Sequence, residues 1–189
     1  MFENFSAVAI GVIGDSMKWC LRLRDPEIRP EHLLLALLEN HTLFGQLAES
    51  NDISADTIIS VISASNQTAT PASDSALPPL RFAPNTKAAL SGAQKIRQEM
   101  GHKLLLPDHI ALSLVTSEES DIRAILEQLE LDVTTIAARL RAEISPSFKR
   151  LDLKRAHEDP MQILTEIYQR SDEDLKPLIS GMMHGLNKT

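Results

Sequence analysis

Apolar side chains recur at helical spacing through most of the chain, and no stretch alternates apolar and polar residues as a half-buried strand does. Ala89, Ala93, Ile96 and Met100 form one stripe, at steps of four, three and four, on a helix that opens behind Phe82-Ala83-Pro84. A counterpart is predicted from about Ser6 to Leu23. Further helices start at Pro30 and Pro107, because a proline at the first helical position gives up only an N–H that has no partner there. They bury Leu33, Leu34, Leu37 and Leu38 in one case and Ile110, Ala111, Leu114 and Val115 in the other. Third helices carry Leu43, Phe44 and Leu47, or Ile122, Ile125, Leu126 and Leu129. Fourth helices begin behind Ser54 and Asp132, whose side chains suit an N-cap, and present Ile58, Ile59 and Ile62, or Ile136, Leu140 and Ile144. The pattern predicts an all-α fold of eight helices.

Those helices come in two related sets. Pro30-Glu31-His32-Leu33 returns 77 residues later as Pro107-Asp108-His109-Ile110, and the same offset carries Phe5 to Phe82, Lys18 to Lys95, Leu35 to Leu112 and Leu37 to Leu114. After a one-residue shift, Ile53, Ile58 and Ile62 align with Leu131, Ile136 and Leu140. Two four-helix units result, over residues 1–64 and 81–145. The segment 65–80 between them is rich in Ser, Ala, Thr and Pro, has no apolar period and is expected to be a linker. Beyond it, residues 146–189 make a C-terminal helical extension and not a third repeat. There Asp159-Pro160 opens a helix with Ile163, Leu164, Ile167 and Tyr168 on one face, and Leu175, Leu178 and Ile179 mark a weaker one. This tail either packs back on the repeats or offers a docking or dimer face to a chain otherwise expected to be a monomer.

Charge narrows the partners. With 26 acids, 19 bases and a net charge of −7, and with only seven aromatic side chains as stacking platforms, nucleic-acid binding is disfavoured and basic partners are favoured. The charge is uneven: −5 on residues 1–64, −1 on the linker, −1 on residues 81–145 and zero on the tail. Acidity therefore marks the first unit. No apolar run approaches the roughly 18 residues of a membrane span. A lone Cys20 and an N-terminus without a cationic leader lead us to expect a cytosolic protein.

Candidate chemistry is sparse. No Gly-rich loop ends in Gly-Lys-Ser/Thr, so no phosphate-binding loop is present. Gly11 and Gly14 lie inside a helical pattern, where close helix packing is the expected reason for them. His32 and His109 lack partners at metal-ligand spacing and are read as structural residues of their own helices, and Cys20 as a core residue. No nucleophile and base are paired, and neither an enzyme nor a metal or other cofactor is expected. Glu31 and Asp108 remain. Each sits one residue inside a helix, where a carboxylate complements the helix dipole by roughly 0.3 to 1 kcal/mol. Equally, a carboxylate fixed at a helix start offers the bidentate geometry that suits a guanidinium.

The doubled unit, with Phe5-Ser6 opening one copy, Phe82-Ala83-Pro84 the other, and Glu31-His32-Leu33-Leu34-Leu35-Ala36-Leu37 between, resembles the Clp N-terminal domain family over about residues 1 to 145, and its ClpC-like members in particular. The resemblance implies two pseudo-twofold Clp-N repeats without the ATPase modules. It implies a non-catalytic module that receives adaptors and substrate proteins for a Clp unfoldase or protease. It also implies phosphoarginine binding, with the acid before the histidine holding the guanidinium and a hydroxyl early in helix one helping with the phosphate. By position the first copy keeps both elements, Glu31 and Ser6; the second has Asp108 and, in place of the hydroxyl, Ala83. One complete and one degenerate site are therefore expected. The alternative function is a structural accessory that docks on Clp protease subunits, as short double-repeat proteins of the plastid stroma do. The amphipathic tail, with no strand leading to an ATPase motif, favours a self-contained chain.

Overall fold

The computed structural model describes residues 4–40, 42–65, 80–117 and 121–144, with Thr165, Tyr168, Lys176 and Ser180 beyond them. Among the described residues the fold is all-helical, as the apolar spacing predicts. Its eight helices are α1 (Ala7–Arg22), α2 (Pro30–Glu39), α3 (Leu43–Glu49), α4 (Ala55–Ser65), α5 (Pro84–Glu99), α6 (Pro107–Thr116), α7 (Ile122–Gln128) and α8 (Val133–Ile144). The expected linker, apart from its ends, and the apolar tail positions Ile163, Leu164, Ile167, Leu175, Leu178 and Ile179 lie outside the described residues. Tyr168 is helical and exposed.

Local chemistry sets the helix starts. Ser6 caps α1, its hydroxyl accepting the Ala9 N–H at 3.2 Å, and Thr42 caps α3 by accepting the Gly45 N–H at 3.1 Å. Pro30 and Pro107 each occupy the first turn of α2 and α6. Ser54 accepts the Thr57 N–H at 3.2 Å and Asp132 the Thr134 N–H at 3.0 Å, so both act as the N-caps their positions suggest.

The second helix of each unit is the most buried. Leu33, Leu34, Leu35, Ala36 and Leu37 of α2 have no exposed surface, nor do Ile110, Ala111, Leu112 and Leu114 of α6. A helix apolar on all sides has neighbours on all sides. Here α2 touches α1, α3 and α4 of its own unit and α5, α6 and α7 of the other, while α6 touches α1, α2, α3, α5, α7 and α8. One continuous core joins both units. Burying a leucine fully contributes about 1.5 to 3 kcal/mol, and Leu35→Ala would cost roughly 2 to 5 kcal/mol.

Gly11 corrects one expectation. A Cβ built there meets nothing within 4 Å, so no close helix contact requires that glycine.

The two units also exchange backbone. Phe5 pairs with Leu105 in a parallel bridge, and Ile28 pairs with Phe82 in another. In the first, the Ser6 N–H donates to the Leu105 carbonyl at 2.9 Å and the Leu105 N–H to the Asn4 carbonyl at 2.5 Å. In the second, the Ala83 N–H donates to the Ile28 carbonyl at 3.0 Å and the Ile28 N–H to the Arg81 carbonyl at 2.7 Å. The repeat offset converts one bridge into the other. The segment leading into helix one of each unit is therefore fastened to the segment leading into helix two of the other.

Candidate ligand-binding site

The bridges fix the surroundings of the two acids. Ile28 lies three residues ahead of Glu31, and Leu105 three ahead of Asp108. Ala83 is thus tied to the approach of Glu31's helix, and Ser6 to the approach of Asp108's helix. The sequence places Ser6 and Glu31 in one copy, but the fold fastens them to different bridges. The pairings it builds are Ser6 with the Asp108 side and Ala83 with the Glu31 side.

Each helix start is held by its histidine. His32 Nδ1 accepts the backbone N–H of Arg29 at 2.9 Å, and His109 Nδ1 accepts that of Leu106 at 2.8 Å. This is half of a capping box, with imidazole doing what glutamate does elsewhere. Accepting at Nδ1 leaves the proton on Nε2. In the first unit that N–H faces Asp25 Oδ2 at 2.9 Å, and Arg29 Nη2 donates to the same oxygen at 2.8 Å. In the second it faces His102 Nδ1 at 2.8 Å. The histidines are structural residues of their own helices, as expected.

Sequence reasoning missed these partners, although the repeat offset carries Asp25 to His102 and Arg29 to Leu106. The signal lies in two positions at which the copies differ. Burial pushes the Asp25 carboxyl up, but the hydrogen bonds from His32 and Arg29 outweigh it and hold the group below its usual range. Burial pushes the Cys20 thiol up to about 12, with the Asp25 charge adding to it, and Cys20 has no exposed surface. It is a core residue and no nucleophile.

The two acids differ in what they touch. Asp108 Oδ1 accepts the backbone N–H of Leu43 at 3.0 Å, so the second unit's carboxylate closes the start of α3 in the first unit. Burial pushes Asp108 up to about 6, against hydrogen bonds from the Leu43 N–H and its own N–H, and the Glu143 charge adds to the rise. Glu31 is 7% exposed, and its Oε2 is buried without a hydrogen-bond partner. A buried acceptor left unsatisfied costs about 1 to 3 kcal/mol or more when charged. The Ser6 hydroxyl is occupied as the α1 cap and is buried. Among the described residues no three His, Cys, Asp or Glu side chains gather as a cation would need, and no helix is long and apolar enough to cross a membrane.

Against known proteins, the chain matches the Clp repeat (R) N-terminal domain over residues 4–129 and again over 81–170. The chain belongs to this family. Solved structures share its fold. The N-terminal domain of the caseinolytic protease associated chaperone ClpD from Arabidopsis thaliana is 23% identical with a TM-score of 0.65, covering 76% of this chain and 96% of that one. The Hsp104 N-terminal domain from Candida albicans is 20% identical with a TM-score of 0.60, covering 76% and 93%. A structure from a malarial protein secretion system is 15% identical with a TM-score of 0.58, covering 77% and 97%. No curated protein matches. Clp-N domains are non-catalytic N-terminal modules of Clp chaperones that bind substrates and adaptors.

Proposed function

We propose that this chain is a non-catalytic protein-binding module of cytosolic Clp-type quality control, receiving substrate or adaptor segments, and that Glu31 anchors an arginine of the bound segment. The observation that carries the reading is the Glu31 Oε2, buried and without a partner at a helix start. A guanidinium supplies the parallel donors that a carboxylate takes, in a charge-assisted bond of about 1.5 to 3 kcal/mol. The net −5 of residues 1–64 draws basic segments toward the same unit. Asp108, the other repeat-related acid, already spends one oxygen on Leu43 and is the weaker candidate.

The test is binding of arginine-bearing peptides to the full chain and to Glu31→Ala and Asp108→Asn. Loss of at least tenfold in affinity with Glu31→Ala, and little change with Asp108→Asn, is the expected result. Equal binding by all three chains would overturn the assignment of Glu31. A pull-down separates receptor from accessory: adaptors or clients lost with Glu31→Ala mark a receptor, whereas stoichiometric Clp protease subunits retained by the variant mark an accessory.

A further inference from the structure

Helix α1 is buried over more of its circumference than its repeat partner α5. On both helices one face meets the shared core, through Ala9, Val12, Ile13 and Ser16 on α1 and through Thr86, Ala89, Leu90 and Ala93 at the same places on α5. Only α1 carries a second buried stripe. Ile10 is 2% exposed, Met17 has no exposed surface and Gly14 is buried between them, at steps of four and three, with Leu21 half-buried one turn further on. The repeat offset sets Lys87, Ser91, Gln94 and Gln98 at these places on α5, polar throughout, and Lys87, Ser91 and Gln98 are exposed.

The eight helices do not account for this difference. Among the described residues α1 packs chiefly against α2 and α6, and α5 against α6 and α2, as the pseudo-twofold requires. That side of α5 faces solvent, so the same side of α1 lies beyond the reach of α2 and α6 and needs a cover from elsewhere in the chain. Ile10 and Leu21 are about 16 Å apart along the helix, so the cover has to supply apolar side chains over about three turns. Residues 1–3 are too few, and residues 66–79 hold one large apolar side chain, Leu77. Residues 160–183 hold many at helical spacing, and Thr165, Tyr168 and Ser180 among them are helical and exposed. That spacing sets Ile163 and Ile167 opposite Thr165, and Leu175, Leu178 and Met182 opposite Ser180.

We propose that the C-terminal segment of this chain, residues 160–183, docks in cis on the second apolar stripe of α1, with Ile163, Ile167, Leu175 and Leu178 set against Ile10, Met17 and Leu21. Gly14 adds no side chain that would hold the segment off. The chain thereby occupies this face of α1 itself and closes it to other proteins. The contact and the anchor at Glu31 lie on different helices and do not depend on one another.

The test places a nitroxide spin label on Ser180→Cys, an exposed position of the full chain, while Cys20, with no exposed surface, stays unlabelled. Amide NMR signals of residues 10–21 should lose more than half their intensity, and those of residues 87–98 should keep theirs. In a mixture of isotope-labelled chain without the nitroxide and spin-labelled chain at natural abundance, the α1 signals should be unaffected. Adding Leu175→Asp and Leu178→Asp to the spin-labelled chain should restore the α1 signals. Broadening of neither helix, or of α5 in place of α1, overturns the docking. Loss of the α1 signals in the mixed sample would show that a second copy covers the stripe and overturns the assignment in cis. Broadening that survives the two aspartates overturns the apolar contact.

Discussion

Asp108 accepts the backbone N–H of Leu43 across the boundary between the two repeats, 65 positions away in sequence, at 3.0 Å. The bond satisfies one of the orphan donors at the start of α3, while burial pushes the same carboxyl up to about 6. A group whose folded pKa is raised contributes stability that is fully present below its unfolded value, here 3.8, and lost as pH rises through the folded one. At neutral pH the charge on Asp108 is therefore a burden to the fold. Asp108→Asn keeps an oxygen for Leu43 and removes the charge. It should raise stability by on the order of 1 to 2 kcal/mol at pH 7.5 and by almost nothing at pH 4. Thermal unfolding at the two pH values checks this, and an equal gain at both would show that ionisation is not the cause.

His109 works in the opposite sense. Burial, helped by His102 and Arg97, pushes it from 6.5 down to about 4, and its ring is fully buried. Its contribution is present above 6.5 and lost as pH falls toward 4. The geometry gives the reason: His109 Nδ1 must accept from Leu106, so a proton added there would set it face to face with the Leu106 N–H, while Nε2 lies 2.8 Å from His102 Nδ1. Because Asp108 and His109 titrate in the same interval with opposite signs, wild-type stability should vary little there. In Asp108→Asn the His109 limb should stand out as a fall between pH 6.5 and 4. His102→Asp, copying the Asp25 partner of His32, should flatten that fall by supplying a carboxylate for the charged imidazole.

Much of the fold was legible because helical spacing is a local property. Pro30, Pro107, Ser54 and Asp132 mark helix starts with chemistry that acts within a few residues, and the repeat fixed that two such sets must pack together. The candidate site was only half legible. Glu31 and Asp108 could be picked out by their place one residue inside a helix, but the sequence pairs Ser6 with Glu31. Reciprocal bridges that cross between the repeats leave no trace in either repeat alone, and they bring Ser6 to Leu105 and Ala83 to Ile28. The same holds for the Asp108 bond to Leu43, which depends on how the units meet.

Left-handed backbone recurs at one repeat-related position with different residues. Arg24 has φ 57° and its counterpart Gly101 has φ 68°, each just past the end of its unit's first helix. A side chain in that region costs roughly 1 kcal/mol relative to glycine, partly offset by the extra freedom glycine has when unfolded. Gly101→Ala should destabilise by about 1 kcal/mol although a Cβ there meets nothing within 4 Å, and Arg24→Gly should stabilise by about half as much. Urea unfolding of the two variants would read both signs; destabilisation by Arg24→Gly would mean that its side chain does more than occupy the turn.

Helix α5 crosses α6 where Gly92 faces Ser113, and the first unit has Asp15 and Ala36 at the equivalent places. A Cβ on Gly92 would run into the Ser113 hydroxyl, which donates to the Ala89 carbonyl at 2.7 Å in a buried position. Gly92→Ala must either turn that hydroxyl away from its acceptor or push the helices apart, at about 1 to 3 kcal/mol. Ser113→Ala alone should cost about 1 kcal/mol or less, because the Ala89 carbonyl lies inside α5, where helix hydrogen bonding already serves it. The double variant restores the alanine of the first unit at the crossing, so the two changes should be non-additive. Together they should be more stable than Gly92→Ala by itself. A double-mutant cycle by chemical denaturation measures this coupling. Additive losses would place the strain of Gly92→Ala on some neighbour other than Ser113.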